Sequence, residues 1–244
     1  MLALVDEAIA RARELGRMDV LASALTTRSV LRLRQTRDFE ANVRAHQEIA
    51  DLCRQHGPGR RITSVLAGLA LALGFQHRVA EQLVLLAAAR GEAERHGQHR
   101  LLAFTHSITG YALADQRRYA ESVQHYRQCL QLSWSRSSWR EWFYGLWNLP
   151  RTLVHLHRPG PAAQLMGFAE AFFAQRFGVL GAEDLPEARR TRRLAAALLG
   201  RELALQQWRQ GASLTMAQAQ RLALDETAGS RPDRSGDPPK SDPL

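Results

Sequence analysis

The chain has 244 residues, of which 45% are hydrophobic and 23% are charged. This length suffices for a sizeable core, and the composition excludes a collagen-like, disulfide-rich or wholly disordered protein. The longest apolar stretches, 65–75 and 83–89, fall short of the roughly 18 residues that a membrane span requires. Of the 33 basic residues only Lys240 is a lysine, and the net charge is +9. A basic chain raises the question of nucleic acid. A coding sequence rich in G and C is the simpler explanation of the arginine excess, because lysine and arginine carry the same charge on a solvated surface.

The first 178 residues show an internal repeat. Residues 1–16 are typical of the second helix of an earlier hairpin, so we expect the chain to be part of a larger protein. Three segments then align without gaps at a spacing of 40 residues: LRLRQTRDFEAN from Leu31, LALGFQHRVAEQ from Leu71 and YALADQRRYAES from Tyr111. Apolar residues within each unit follow a helical period, and short polar turns separate the two helices. Glycines at Gly57 and Gly97 are suited to end the second helices, because glycine adopts a left-handed backbone at no steric cost.

A fourth hairpin with a weaker pattern follows. Its first helix is predicted from Ser137 and contains Pro150, which should bend it. Its second helix is predicted to begin at Pro161, where a missing N–H is harmless. Residues 179–225 are predicted as capping helices, the last of them capped by Thr215 or Ser213. Residues 226–244 are rich in proline, glycine, serine and charge, which predicts a disordered tail.

Because one hairpin cannot bury its apolar face alone, stacked hairpins are expected. The sequence thus predicts an all-α, right-handed α-solenoid of antiparallel hairpins over residues 1–178, with a helical cap over 179–225, about eleven or twelve helices in total.

The third unit resembles a tetratricopeptide repeat in its small and aromatic spacing, given by Gly110, Leu113, Tyr119, Ser122, Tyr126 and Cys129. The period of 40 residues exceeds that family's period of about 34. It is similar to the repeats at the C-terminus of bacterial ATP-dependent transcriptional regulators of the signal-transducing NTPase class. The segment LALQQWRQGASLTMAQAQRLAL strengthens this resemblance through Trp208, Gly211, Leu214 and Thr215. The resemblance implies a bacterial regulatory protein active in signal transduction, in which this portion senses, scaffolds or assembles.

Sequence motifs for catalysis are absent. There is no GxxxxGK[ST] phosphate loop, no kinase signature, no GxSxG elbow and no convincing helix-turn-helix in the sequence. We therefore expect a non-catalytic module without a cofactor, with any NTPase, kinase or DNA-binding domain lying upstream of Met1. The expected partner is a protein or peptide, with a small-molecule effector as a further option. We do not expect this portion of the protein to bind a membrane or nucleic acid. A standalone interaction scaffold and a nucleic-acid-binding helical repeat are the alternatives.

Cysteine and histidine usage points to no special chemistry. Cys53 and Cys129 lie in apolar helical patterns, which predicts buried free thiols and a reducing cytoplasm. His155 and His157 are two residues apart and point to different sides of a helix, so no metal site is expected. His46 is expected at a helix end or on a polar face.

Three groups of residues are candidates for binding. In stacked hairpins the first helices line a groove that suits extended peptides. Its candidate residues are Arg34, Ser64, Ser107, Tyr111, Asn148, Thr152 and His155. A cluster of aromatic residues between 134 and 147 either offers a surface to a partner or fills the joint between the third and fourth hairpins. The candidate aromatic surface consists of Trp139, Trp142 and Trp147.

The third group is an arginine cluster within about one helical turn. Four positive charges there suit phosphate, a nucleic-acid backbone or an acidic partner, whereas a solvated helix face is the simpler interpretation. The cluster consists of Arg189, Arg190, Arg192 and Arg193. Nearby acids, Glu183, Asp184 and Glu187, are expected to neutralise it in part.

Overall fold

The computed structural model describes residues 1–55, 61–178 and 185–225. These residues form twelve α-helices and contain no strand. The helices are α1 (Leu2–Glu14), α2 (Met18–Thr36), α3 (Phe39–Gln55), α4 (Ile62–Phe75), α5 (Val79–Arg95), α6 (His99–Asp115), α7 (Tyr119–Ser135), α8 (Trp139–His155), α9 (Pro159–Phe177), α10 (Leu185–Leu199), α11 (Arg201–Ala212) and α12 (Met216–Leu224). The predicted all-α architecture is thereby confirmed. The predicted disordered tail, 226–244, and the predicted cap at Gly57 lie outside the described residues.

The chain divides into two compact units, Met1–Asn148 and Leu149–Leu244. In unit 1 each helix from α1 to α6 packs against the next one along the chain, and α4 also contacts α6. Helices that follow one another are thus neighbours in space, as in an α-solenoid. The cores are built from the apolar faces that the sequence period indicates, such as Val43 with Leu69 and Leu73.

One turn recurs between the helices. Arg37, His77, Arg117 and His157, which lie 40 residues apart, all have positive φ, between 53° and 60°. After the last three of these turns the next residue donates its backbone N–H to a carbonyl of the preceding helix, for example Arg78 to Leu73 at 3.0 Å and Arg118 to Leu113 at 2.9 Å. This bond pattern is the one that ends helices with a left-handed residue. The predicted short polar turns therefore owe their shape to backbone geometry that non-glycine residues supply.

Close approach of helices in unit 1 depends on glycines that face side chains. A Cβ at Gly110 would lie 2.8 Å from the ring of Tyr126, and a Cβ at Gly68 would lie 2.7 Å from Nε2 of His46. Both rings are buried. The expectation for His46 was wrong: its ring is enclosed beside Ser29 and Asn42, and its Nδ1 lies 3.0 Å from the carbonyl oxygen of Asn42.

In unit 2, α9 packs against α10, α11 and α12. Here the approach is backbone to backbone, because a Cβ at Gly167 would collide with the carbonyl oxygen of Trp208, and one at Gly211 with that of Gln164. The last helix carries the predicted Thr215 cap, since the Thr215 hydroxyl accepts the N–H of Gln218 and the Gln218 side chain accepts the N–H of Thr215.

Two proline positions refine the predicted boundaries of the fourth hairpin. Helix α9 begins at Pro159, so Pro161 lies within its first turn rather than at its first position. Pro150 lies inside α8, as expected. None of the helices in the described part of the chain is long and apolar enough to cross a membrane.

Candidate interaction surfaces

One face of α4 and α6 carries exposed and half-buried side chains. We define the first-helix face by Ser64, Leu71 and Phe75 of α4 and by Phe104 and Tyr111 of α6. Helical geometry places these residues on one side of each helix, because spacings of four and seven residues return to the same face. Phe75 is 55% exposed and Tyr111 is 45% exposed. Since α4 contacts α6, unit 1 presents a surface of large rings and apolar side chains from both helices.

A cavity of about 190 Å³ lies between α2 and α4 in the same unit. Its walls include Thr26, Thr27 and Ser64, whose hydroxyls all donate to backbone carbonyls three or four residues earlier in the chain. Hydroxyl oxygens bonded in this way keep lone pairs that accept hydrogen bonds from a ligand. Arg61 also lines the cavity and contacts the hydroxyl of Ser23. The cavity thus offers acceptors and one guanidinium, a set that matches the N–H and C=O groups of an extended peptide.

The structure places the groove residues of the prediction in different environments. Ser64 and Tyr111 are exposed, whereas Ser107 is buried. Asn148 is half-buried and its amide donates to the carbonyl oxygen of Tyr144 at 2.8 Å. In unit 1, the surface that a partner can reach therefore includes Ser64 and Tyr111 but not Ser107.

The remaining groove candidates add little to this surface. Thr152, in unit 2, is fully buried, and His155 is half-buried. The side chain of Arg34 lies outside the described part of the chain.

The aromatic cluster is mainly interior. Trp142 and Trp147 are buried, at 0% and 7% exposure, while Trp139 is 42% exposed. The rings of Trp134 and Trp142 lie 5.9 Å apart across α7 and α8, and Trp139 meets Trp134 edge-on at 5.7 Å. Core packing explains Trp142 and Trp147, because a helix this rich in large rings must turn some inward. The candidate aromatic surface is narrowed to Trp139, together with Tyr144, which is also exposed.

The arginine cluster divides between two roles. The Arg192 guanidinium donates to Glu170 at 2.6 Å and lies 4.1 Å from the centre of the Trp208 ring. Burial raises the pKa of Glu170, and the contact with Arg192 opposes that shift. Arg192 therefore holds α10 to α9 and α11. The other three, Arg189, Arg190 and Arg193, are exposed.

The acids expected to neutralise this cluster do not do so where the structure describes them. Glu187 lies 3.3 Å from Nε of Arg151 and is partly buried in that contact. Its charge is thus directed toward Arg151, which belongs to the same unit. Glu183 and Asp184 lie outside the described residues.

A histidine pair that the sequence analysis missed lies inside unit 1. The Nδ1 atoms of His106 on α6 and His125 on α7 are 2.9 Å apart. Burial, together with the charge of Arg90, lowers the pKa of each ring to about 4. Both rings are thus neutral near pH 7, with one Nδ1 donating and the other accepting. Antiparallel pairing of the two helices, which was predicted, is the signal that could have brought these residues together.

No group of three or more metal-ligating side chains occurs in residues 1–55, 61–178 and 185–225. Cys53 and Cys129 are free and buried, and burial raises the pKa of the Cys129 thiol to about 12. A thiol with such a pKa is a poor nucleophile. These cysteines therefore behave as small core residues.

The fold and these surfaces define an all-α repeat protein. No family model and no curated protein matches the chain. Among solved structures it is similar to BtubC (BKLC) from P. vanneervenii, with a TM-score of 0.65 and 16% sequence identity. The similarity covers 100% of this chain and 95% of the BtubC chain. At this identity the likeness concerns the fold.

Proposed function

We propose that this chain is a non-catalytic interaction module that binds an extended peptide segment of a partner protein on its first-helix face. The observation that supports the proposal most is the exposure of Phe75 and Tyr111 on α4 and α6, which pack side by side. Tyrosine and other aromatic residues supply much of the binding free energy at protein interfaces. Exposure of their apolar surface to water is unfavourable, and a partner that covers the rings removes that unfavourable free energy.

The polar cavity between α2 and α4 complements these rings. Hydroxyl oxygens of Thr26, Thr27 and Ser64 suit the N–H groups of a peptide, and Arg61 suits its carbonyl or carboxylate oxygens. Apolar anchors beside backbone hydrogen-bonding groups are the usual means by which a groove holds an extended segment.

We further propose that the module belongs to a bacterial cytoplasmic regulator, where partner binding biases an effector domain. The support is the resemblance of the C-terminal segment, with Trp208, Gly211, Leu214 and Thr215, to regulators with tetratricopeptide-like repeats. In unit 2 these residues surround the contact of α9 with α11 and the cap of α12. A standalone scaffold would have the same surfaces. An effector domain encoded in the same reading frame would favour the regulator over the standalone scaffold.

Selection of peptides from a random library, followed by anisotropy titration, tests the binding function. We expect Tyr111→Ala to weaken the selected peptides about tenfold or more, as for a central aromatic anchor. The control is Val84→Ala, because Val84 is 69% exposed on α5 and lies outside the first-helix face. Failure to select any peptide, or equal weakening by both variants, would contradict the proposal.

A further inference from the structure

Helix α10 of unit 2 has an outward face made of arginine and leucine. Ala188, Thr191 and Ala195 form its buried side. At 100° per residue, Arg193 points almost directly away from that side, and Arg189 and Arg190 lie about 50° to either side of it. All three arginines are exposed.

This face differs from the other charged surfaces of the molecule. Exposed arginines elsewhere often pair with an acid one turn along the helix, as Arg78 does with Glu81 and Arg118 with Glu121. Of the nearby acids that the structure describes, Glu187 of α10 pairs with Arg151 and Glu170 of α9 with Arg192. Within the described residues, the positive charges of Arg189, Arg190 and Arg193 have no acidic partner.

An apolar stripe runs beside the charges. Arg190, Leu194 and Leu198 are four residues apart, so each lies about 40° farther round the helix than the one before, on the side away from Arg189. Leu198 is 47% exposed and Leu194 is half-buried. A partner that covers this face must therefore supply both negative charge and apolar side chains.

We infer that the α10 face, defined by Arg189, Arg190, Arg193, Leu194 and Leu198, docks an acidic amphipathic segment of a partner protein. Carboxylates accept paired hydrogen bonds from the planar guanidinium, and leucines of the same segment cover the stripe. Nucleic acid fits less well, because a phosphate backbone offers the leucines nothing apolar. Three phosphate contacts would also give a salt slope of only about −2.7, well below that of proteins making 6–10 contacts.

The test measures binding of three labelled probes to the full chain in dilute salt. The first is a synthetic helical peptide with glutamates and leucines on one face. The second has the same composition in scrambled order, and the third is a duplex DNA oligonucleotide. Two variants of α10 are compared with the parent. The triple α10 variant combines Arg189→Glu, Arg190→Glu and Arg193→Glu, and the second variant carries only Leu198→Ser. A control with equal net charge carries Arg13→Glu, Arg32→Glu and Arg209→Glu, which are exposed arginines of other helices.

We expect the triple α10 variant to weaken the amphipathic peptide about tenfold or more, through loss and reversal of three attractive charges. Leu198→Ser should weaken it about threefold, and the control variant should bind it almost as the parent does. The scrambled peptide should bind more weakly than the ordered one. Circular dichroism confirms that each variant is folded.

Three results would overturn the inference. The first is no binding of the amphipathic peptide by the parent chain. The second is equal weakening by the α10 and control variants, which would show attraction by net charge alone. The third is DNA binding that depends on the α10 arginines while the peptide does not, which would make nucleic acid the occupant.

Discussion

The two units of the chain bring their helices together in different ways. In unit 1 the glycines at the crossings face side chains, since Gly110 lies under the ring of Tyr126 and Gly68 under that of His46. In unit 2 they face backbone, since Gly167 and Gly211 lie against carbonyl groups on the opposite helix. A side chain can shift by rotating about its bonds, but a helix backbone moves only as a whole. Unit 1 should therefore tolerate sequence change better than unit 2.

The largest effect is expected at the backbone contact of unit 2. Gly211→Ala adds a methyl group that collides with the carbonyl of Gln164, so α9 and α11 must separate. We expect a loss of about 3 kcal/mol in the free energy of unfolding, at the upper end for overpacked sites. Urea denaturation followed by far-ultraviolet circular dichroism measures it.

The control is Gly91→Ala in α5, where nothing lies within 4 Å of the added Cβ. This change should stabilise the protein by roughly 0.5–1 kcal/mol, because alanine favours a helix. If the Gly211→Ala variant were as stable as the parent, the claim that the backbone contact makes unit 2 less tolerant of substitution would be contradicted.

A smaller loss is expected at the ring contact of unit 1. Gly110→Ala places a methyl group 2.8 Å from the Tyr126 ring, which is buried but can move. We expect a cost of about 1–2 kcal/mol. Combination with Tyr126→Leu should give less than the sum of the two single losses, because the clash is with the ring. Strict additivity in the urea measurements would show that the ring is not the obstacle.

Acid should loosen unit 1 more than unit 2. The pKa of His106 and of His125 is about 4 in the folded protein, against an ordinary value of 6.5. The unfolded chain therefore binds more protons between pH 6.5 and 4, so stability is constant above this window and falls as the pH drops through it. Burial raises the pKa of Glu170 in unit 2, so its unfavourable contribution diminishes as the pH falls. The histidine pair of unit 1 and Glu170 of unit 2 thus contribute to the response to acid in opposite senses.

Amide hydrogen exchange at pH 7 and pH 5, corrected for intrinsic rates, measures this contrast. The amides of α6 and α7 should lose more protection than those of α9 and α11. Replacement of both rings, as His106→Gln with His125→Gln, should reduce the pH dependence of α6 and α7. If the variant keeps the same dependence, other groups, such as His46, are responsible.

Much of the fold could be predicted because the repeat is local. The 40-residue spacing marks the turns at Arg37, His77 and Arg117, and antiparallel hairpins follow from short connections. Side-chain environments that depend on helices distant in the sequence were harder to predict. A polar residue such as His46 was expected at a helix end or on a polar face, but Ser29 of α2, Asn42 one turn earlier in α3 and the small Gly68 of α4 create a buried place for it.

For the candidate sites, too, contacts between helices distant in the sequence could not be predicted. Sequence spacing identified Tyr111 and the arginine cluster, but Trp142 and Trp147 face inward because the rings of α7 and α8 must share one interior. Arg192 could not be separated from its neighbours by sequence alone. Its partners, Glu170 and Trp208, come from two other helices.

Hydrogen exchange of the chain with and without a selected peptide tests the central claim, that the first-helix face binds a partner segment. The account predicts added protection in α4 and α6 around Ser64, Leu71 and Tyr111, and little change in α5 and α7. Protection confined to α5 and α7, or none at saturating peptide, would contradict it.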